Sequence, residues 1–235
     1  SSGQFDLFSI LEDDAQKQSY VVEKPWSEAQ RLDAEREVLG FYLTGHPADQ
    51  YRREFSDFVV PLSQLNPSVH KKAHVCGQVV AIRKVLTKRG KKLVIIGLDD
   101  STARMDVVVF GEVFDTYIDP LATGDMLVIE GDVAYDDYNG GVKMSASTLY
   151  NVAAARLRFA RCLELSLNQN SQSLIPALQA LLKAHNGKCG VQIIYSNEYA
   201  KVRISPAPTW HVNPRDELLA LLADLLGEEQ VAMQY

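Results

Sequence analysis

Carboxylates gathered at one point would signal metal-assisted chemistry on phosphates, and the sequence offers three candidate pairs: Asp99-Asp100, Asp136-Asp137, and Glu130 with Asp132. Two-metal catalysis needs acidic side chains that converge. Neighbours in an extended chain point to opposite faces, so the two adjacent pairs do not chelate. Glu130 and Asp132 share a strand face, but no third ligand accompanies them, and they read as a solvated strand end. His46, placed before Pro47, has no cysteine or carboxylate arranged around it and reads as structural. Cys76, Cys162 and Cys189 are far apart and form no C-x-x-C, which argues against a zinc ribbon or a disulfide framework and fits a reducing compartment. No G-x-x-x-x-G-K-[ST], G-x-S-x-G or H-E-x-x-H occurs. No catalytic residue, no metal site and no cofactor are expected in this chain.

The basic residues say more. Arg83, Lys84, Lys88, Arg89, Lys91 and Lys92 crowd together with no acid between them. Such a cluster neutralises phosphates, with an affinity that falls steeply with salt. Net charge is −6, so the molecule is no general polycation and any contact with nucleic acid must be local. Stacking surfaces are scarce: Lys92 to Val109 holds no aromatic residue, and Phe110, Tyr135 and Tyr138 lie at strand ends or in a hairpin. Weak, sequence-blind binding of single strands follows.

The elements that carry this cluster read as strands. His74 to Leu86 is a long apolar run with Gly77 inside it, where a barrel strand can bend. Thr87 to Gly90 is a turn. Lys92 to Leu98 and Arg104 to Phe110 are two further strands, separated by the turn Asp99 to Thr102. Glu112 to Asp119 reads as a short helix ended by Pro120. Met126 to Val133 and Val142 to Ser147 are the last two strands, joined by a turn with the favoured Asn139-Gly140 pair. Three strands, a helix and two strands is the order of the OB-fold, whose first hairpin loop is one of two that meet nucleic acid. Residues 73–152 are assigned to it.

On either side the pattern changes. Ser27 and Gln30 make a capping box ahead of a helix from Glu28 to Leu39, with Leu32, Val38 and Leu39 as its apolar stripe. A short helix, Ala48 to Phe55, and a proline-stiffened connector, Pro61 to Val69, complete a helical segment over 25–72. Asn151 to Arg158 is a link. Residues 157–235 then run β-α-β-β-α-β, a split βαβ sandwich. Its strands are Cys162 to Leu167, Val191 to Tyr195, Lys201 to Ser205 and Val231 to Tyr235. One helix is capped by Ser173 and stopped near Gly187. The other is entered through Asn213-Pro214, rich in leucine, and ended by Gly227. The class is α+β. Hydrophobic content of 46% over 235 residues supports two cores. No apolar run reaches the ~18 residues that span a bilayer and no signal peptide opens the sequence, so no membrane partner and a cytoplasmic location are expected.

Two segments carry a family resemblance. Glu35 to Pro47, EREVLGFYLTGHP, resembles the stretch ahead of the OB-fold in the alpha subunit of bacterial DNA polymerase III, the replicative DNA-directed DNA polymerase. Gln4-Phe5-Asp6-Leu7-Phe8, in the flexible segment expected over 1–24, resembles that family's sliding-clamp-binding pentapeptide, departing only in Phe5 where leucine is usual. The resemblance implies that Gln4 hydrogen-bonds at the rim of a pocket on the sliding clamp (beta) while Leu7 and Phe8 fill it. It implies single-stranded DNA at the basic hairpin and the tau subunit of the clamp loader on residues 157–235, through the leucine-rich last helix and the tail to Tyr235. The family's catalytic aspartates belong to a part not contained here. A tRNA- or RNA-binding OB module is the competing reading, and it would demand strand-borne aromatics.

Overall fold

Strand β1 (Lys72–Leu86) runs the height of a barrel and pairs on both edges. Its second half pairs antiparallel with β2 (Lys92–Asp99), its first half with β4 (Met126–Tyr135). β2 pairs with β3 (Arg104–Phe110), and β5 (Val142–Asn151) pairs antiparallel with β4 and parallel with β3. The order β1-β2-β3-β5-β4 closes on itself. The computed structural model describes residues 26, 28–40, 42–86, 90, 92–117, 120–136 and 140–235. The pentapeptide Gln4 to Phe8, the cap Ser27, the hairpin residues Lys88, Arg89 and Lys91, and Tyr138 and Asn139 lie outside them.

The chain divides into two units between Leu43 and Thr44. In the first, α1 (Glu28–Leu39) takes the expected bounds, ends at Gly40 with φ +80°, and is tied by Glu35, which accepts from the Leu43 N–H at 2.6 Å. Only part of its expected stripe is buried: Leu32 is, whereas Val38 and Leu39 are exposed.

In the second unit, α2 (Pro47–Glu54) and the connector pack with the barrel rather than apart from it. His46 caps α2, its Nδ1 accepting from the Ala48 N–H at 3.1 Å, the structural role expected, although a carboxylate does stand beside it, Asp99 at 3.7 Å from Nε2. Asp49 reaches the β2–β3 turn, accepting from the Ser101 hydroxyl at 2.6 Å. The buried Asp100 closes that turn by accepting from the N–H groups of Leu62, Thr102 and Ala103 at 2.8 to 2.9 Å, so a connector and a hairpin share one carboxylate. Both members of the Asp99-Asp100 pair are thereby engaged, Asp99 by Arg104 and Ser101. Val94, Ile96, Leu98, Val107, Val109, Leu127, Ile129 and Met144 fill the barrel. The irregularity in β1 falls between Val79 and Ala81, not at Gly77; Gly77 is instead a point of close approach, where a Cβ would lie 2.8 Å from the Asp99 carbonyl oxygen. The helix after β3 is shorter than read, α3 (Gly111–Thr116).

β5 leads directly into α4 (Val152–Phe159), capped by Asn151, which accepts from the Ala154 N–H at 2.7 Å. The terminal sheet follows: β6 (Cys162–Asn168), α5 (Ile175–Ala184), β7 (Asn186–Cys189), β8 (Val191–Ser196), β9 (Lys201–Ile204), α6 (Asp216–Leu226) and β10 (Val231–Gln234). The four-stranded order is β10-β6-β8-β9. β6 and β8 are direct parallel neighbours, so the β-α-β crossover is not split as expected; β10 joins the other edge of β6. Leu163, Leu165 and Leu167 of β6 meet Leu178 and Leu182 of α5 and Leu218 and Leu222 of α6. Three local readings change. A 3-10 turn, Gln169–Leu174, capped by Asn168 rather than Ser173, precedes α5. Gly187 lies in β7, where a Cβ would sit 2.4 Å from the Val212 carbonyl, so glycine serves backbone contact there and not a helix stop. α6 begins at Asp216, two residues past Pro214.

One buried cation joins barrel and terminal sheet. Arg156 of α4 is 2% exposed. Its Nε and Nη2 donate to the two carboxylate oxygens of Glu54 at 2.7 and 2.8 Å, Nη1 to the Pro214 carbonyl at 3.1 Å, and Nη2 lies 2.7 Å from Asp216 of α6. Tyr51 donates to Asp216 at 3.1 Å and Tyr235 to Glu54 at 2.5 Å. Burial, then the neighbouring carboxylates, push both phenols above their ordinary range. Removing one member of such a pair strands the other, at a cost of about 3–5 kcal/mol. Arg156→Met is therefore expected to lower unfolding free energy by roughly that amount in a denaturant titration, and Glu54→Gln by less, because Gln still accepts one hydrogen bond.

Asp49 gives a second expectation. Burial raises its pKa, but hydrogen bonds from Ser101, Arg52 and the His46 backbone outweigh it, and the group sits below its ordinary 3.8. Its contribution is present above pH 3.8 and is lost as pH falls through the lower folded value. In an acid unfolding series, Asp49→Asn should lose stability relative to the parent at neutral pH, and the difference should shrink as pH falls below 3.8.

Candidate nucleic-acid interface

Ladder register decides what faces out of the barrel. Val94, Ile96 and Leu98 of β2 and Val107 and Val109 of β3 point inward. The alternate residues, Leu93, Ile95 and Gly97 on β2 and Arg104, Asp106, Val108 and Phe110 on β3, face outward. Across the β1–β2 ladder, Val85 stands opposite Leu93, Arg83 opposite Ile95 and Ala81 opposite Gly97. The outer face is thus an aliphatic strip with one aromatic, Phe110, 48% exposed at the end nearest the basic hairpin. The β4–β5 hairpin lies at the other end, because β5 runs parallel to β3 with Met144 beside Val107. Two loops therefore bracket the strip lengthwise.

The described part of the basic cluster does not act as one patch. Arg83 lies on the outer face and its guanidinium is paired with Asp106 of β3, a partner 23 residues away. Lys84 points to the opposite side of β1, its Nζ 5.9 Å from the centre of the Phe114 ring of α3. Lys92 lines a shallow pocket of about 300 Å³ between the hairpin stem and α3, together with Leu86, Leu93, Phe114 and Asp115. Arg104 adds a cation that the charge run does not include: its Nε donates to Asp99 at 2.6 Å while its side chain is 77% exposed. Arg83 and Asp106 are both more than half exposed, and such pairs contribute only about 0–1 kcal/mol, so Arg83 can exchange its carboxylate for a phosphate at little cost; Arg104 stays with the buried Asp99 and offers a phosphate its remaining guanidinium N–H groups. Among the described residues no group of three or more His, Cys, Asp or Glu could hold a metal ion, and no helix is long and apolar enough to cross a membrane.

Sequence reading missed Arg104 and the aliphatic strip. β2 and β3 are apolar at nearly every position, so alternation could not separate the two faces; Asp106, the one acid within β3, was the available signal for the outer side.

Comparison with known proteins accords with this arrangement. Residues 73–152 match the family model described as an OB-fold nucleic acid binding domain, and residues 177–227 the one described as the C-terminal domain of DNA polymerase III subunit alpha. DNA polymerase III subunit alpha of Escherichia coli (strain K12) is 38% identical over 241 residues, spanning 99% of this chain, and that of Vibrio cholerae is 37% identical over 240 residues, also spanning 99%. The chain belongs to the DNA polymerase III alpha family, as its C-terminal region. It spans about a fifth of the length of these curated relatives, 21% in both. Among solved structures, the second OB-fold domain of replication protein A from Methanococcus maripaludis superposes with a TM-score of 0.32 at 21% identity, covering 40% of this chain and 95% of that one.

The outer strip makes a measurable claim. Aromatic stacking is worth ~1–3 kcal/mol per base, so Phe110→Ala should weaken binding of a labelled oligothymidine roughly fivefold or more. Ile96→Val, inside the barrel, should leave that affinity unchanged in the same anisotropy assay.

Proposed function

We propose that this chain is the scaffold end of a replicative DNA polymerase, holding single-stranded template, sliding clamp and the tau subunit of the clamp loader together and carrying out no bond chemistry itself. The observation that carries it is the bracketed outer face of the barrel, in a chain related along 99% of its length to polymerase III alpha subunits. Template would lie across Val85, Leu93, Ile95, Val108 and Phe110, with phosphates met by Arg83, Arg104 and the hairpin lysines and arginines, Lys88, Arg89 and Lys91. The clamp would take the pentapeptide Gln4 to Phe8. Tau would meet the terminal sheet and α6. Leu218 and Leu222 are spent on the core and Tyr235 on Glu54, so the outer side of α6, with Leu221 and Glu217 exposed, is the surface left for it.

Binding through a peptide motif is modest alone and gains from tethering to partners already on DNA. Retention of the chain on immobilised sliding clamp, lost in Leu7→Ala/Phe8→Ala, tests the clamp contact; equal retention of both would remove it. The template contact is read by salt. One phosphate for each of these five cations, Arg83, Arg104, Lys88, Arg89 and Lys91, gives a log–log slope near −3.5 on a single strand, at ~0.7 per phosphate. Lys88→Gln/Arg89→Gln should flatten that slope by about 1.4, whereas a slope unchanged in the variant would take the hairpin out of the interface.

A further inference from the structure

A second set of hydrogen-bond donors lies at the far end of β1 from the basic hairpin. An open pocket of about 520 Å³ is lined by Arg52, Arg53, Ser56, Val59, Val60, Pro61, Gln64 and His70. No carboxylate lines it. Its polar rim is rich in donors. Arg52 comes from the last turn of α2; its Nη2 is 3.0 Å from Asp49, but its Nε is buried and has no hydrogen-bond partner among the described residues. Buried donors are almost always paired, so this guanidinium has hydrogen-bonding capacity left over, and its side chain, about a third exposed, lines the pocket where an acceptor could use it. Arg53 gives only its Nε, to the Asp49 carbonyl at 3.3 Å, and forms no ion pair among the described residues. His70 Nδ1 accepts from the Asn66 N–H at 3.3 Å, which leaves the neutral ring with its proton on Nε2 as a further donor.

We propose that this pocket binds a phosphate group. Arginine forks suit phosphate oxygens in a bidentate manner, and a third donor from histidine fits the remaining oxygen. The carbonyl end of α2 opposes an anion with about half a charge, but two guanidinium groups face it and outweigh that. A carboxylate ligand would use fewer of the donors present. The phosphate could be free or part of a nucleic-acid backbone; its chemistry is the same. Position favours the second source. The connector that carries His70 is held to the stem of the β4–β5 hairpin, Ser68 Oγ lying 2.8 Å from the Tyr135 hydroxyl, so the pocket sits on the barrel end where a strand crossing the outer face would depart. Binding here does not require the outer face to bind DNA.

The test uses the 235-residue chain, with NMR of the Arg52 Nε–H and His70 ring resonances at constant ionic strength. Inorganic phosphate should shift both in a saturable way. Arg53→Gln, which keeps the helix and the Asp49 contact of Arg52, should weaken that binding about tenfold, the size expected for one charge-assisted contact. An oligothymidine that shifts the same two resonances identifies the backbone as the source; phosphate acting while the oligonucleotide does not identifies a free phosphate. Phe110→Ala should leave the phosphate response untouched, which separates this site from the outer face. Resonances that move with neither ligand, or that move equally in a folded Arg53→Gln chain, would overturn the proposal.

Discussion

The burial of the Arg156 guanidinium constrains everything downstream of the barrel. An isolated cation taken out of water costs several kcal/mol, and only near-complete pairing offsets it. Here each end of the fork is occupied: Glu54 from α2 takes two hydrogen bonds, Pro214 offers a carbonyl, and Asp216 opens α6. The position of Asp216 adds a second effect, since a carboxylate in the first turn complements the positive end of its helix. Tyr51 and Tyr235 each donate one further hydrogen bond, to Asp216 and Glu54 respectively. Because no partner can leave without stranding another, α2, α4, α6 and the strand leading to Tyr235 hold one arrangement. Around them Phe55, Phe58, Phe159 and Tyr235 pack in stacked, tilted and edge-to-face pairs at ring separations of 4.6 to 5.4 Å and keep water away. The polar network supplies geometry and the aromatic shell supplies the dry surroundings in which that geometry matters.

Rigidity in that region contrasts with the outer face of the barrel. The pair of Arg83 with Asp106 is exposed and weak, and Arg104, held at its Nε by the buried Asp99, keeps most of its side chain in solvent. They keep cations in place without committing them. An aliphatic strip with one aromatic offers contact area without hydrogen-bond discrimination, which is what the proposed template contact requires. The price of that generality is affinity, and the acidic net charge of −6 lowers it further by repelling the ligand at long range.

Much of this was legible in the sequence, and the exceptions share a cause. Barrel strands announced themselves because Val, Ile and Leu runs are broken by Gly, Asn and Asp at hairpin spacing, and all five were placed. The OB order followed from the single helical stretch between Phe110 and Met126. What could not be read were properties that depend on residues far apart in the chain. Arg83 meets Asp106 only through β2, and Arg156 meets Glu54 across 102 positions, so neither pairing leaves a local pattern. Gly187 looked like a helix stop because glycine often is one; its reason is the backbone of Val212 pressed against it. The unsplit crossover has the same origin: β-α-β-β-α-β is common to several sheet orders, and the choice rests on whether β8 docks beside β6, which the leucines of both helices settle in three dimensions. Ser173 was passed over for Asn168 because a 3-10 turn precedes the helix and takes the cap.

Weak contacts at separate places on one rigid body behave differently from the same contacts on a loose chain. Two sites that each bind a phosphate feebly raise the residence of a strand only if the span between them is fixed, because the second contact is then made at an effective concentration set by geometry and not by search. The donors at the two ends of β1 belong to one such body: the strand itself is the spacer, and Asp100 pins the connector beside it to the β2–β3 turn. A flexible connector would spread His70 and the arginines of α2 over many positions and forfeit that gain. The buried carboxylate at Asp100 and the buried cation at Arg156 therefore serve one end. Each takes a group that would rather be in water, satisfies it completely, and in doing so turns a collection of low-affinity surface charges into an array with set spacing.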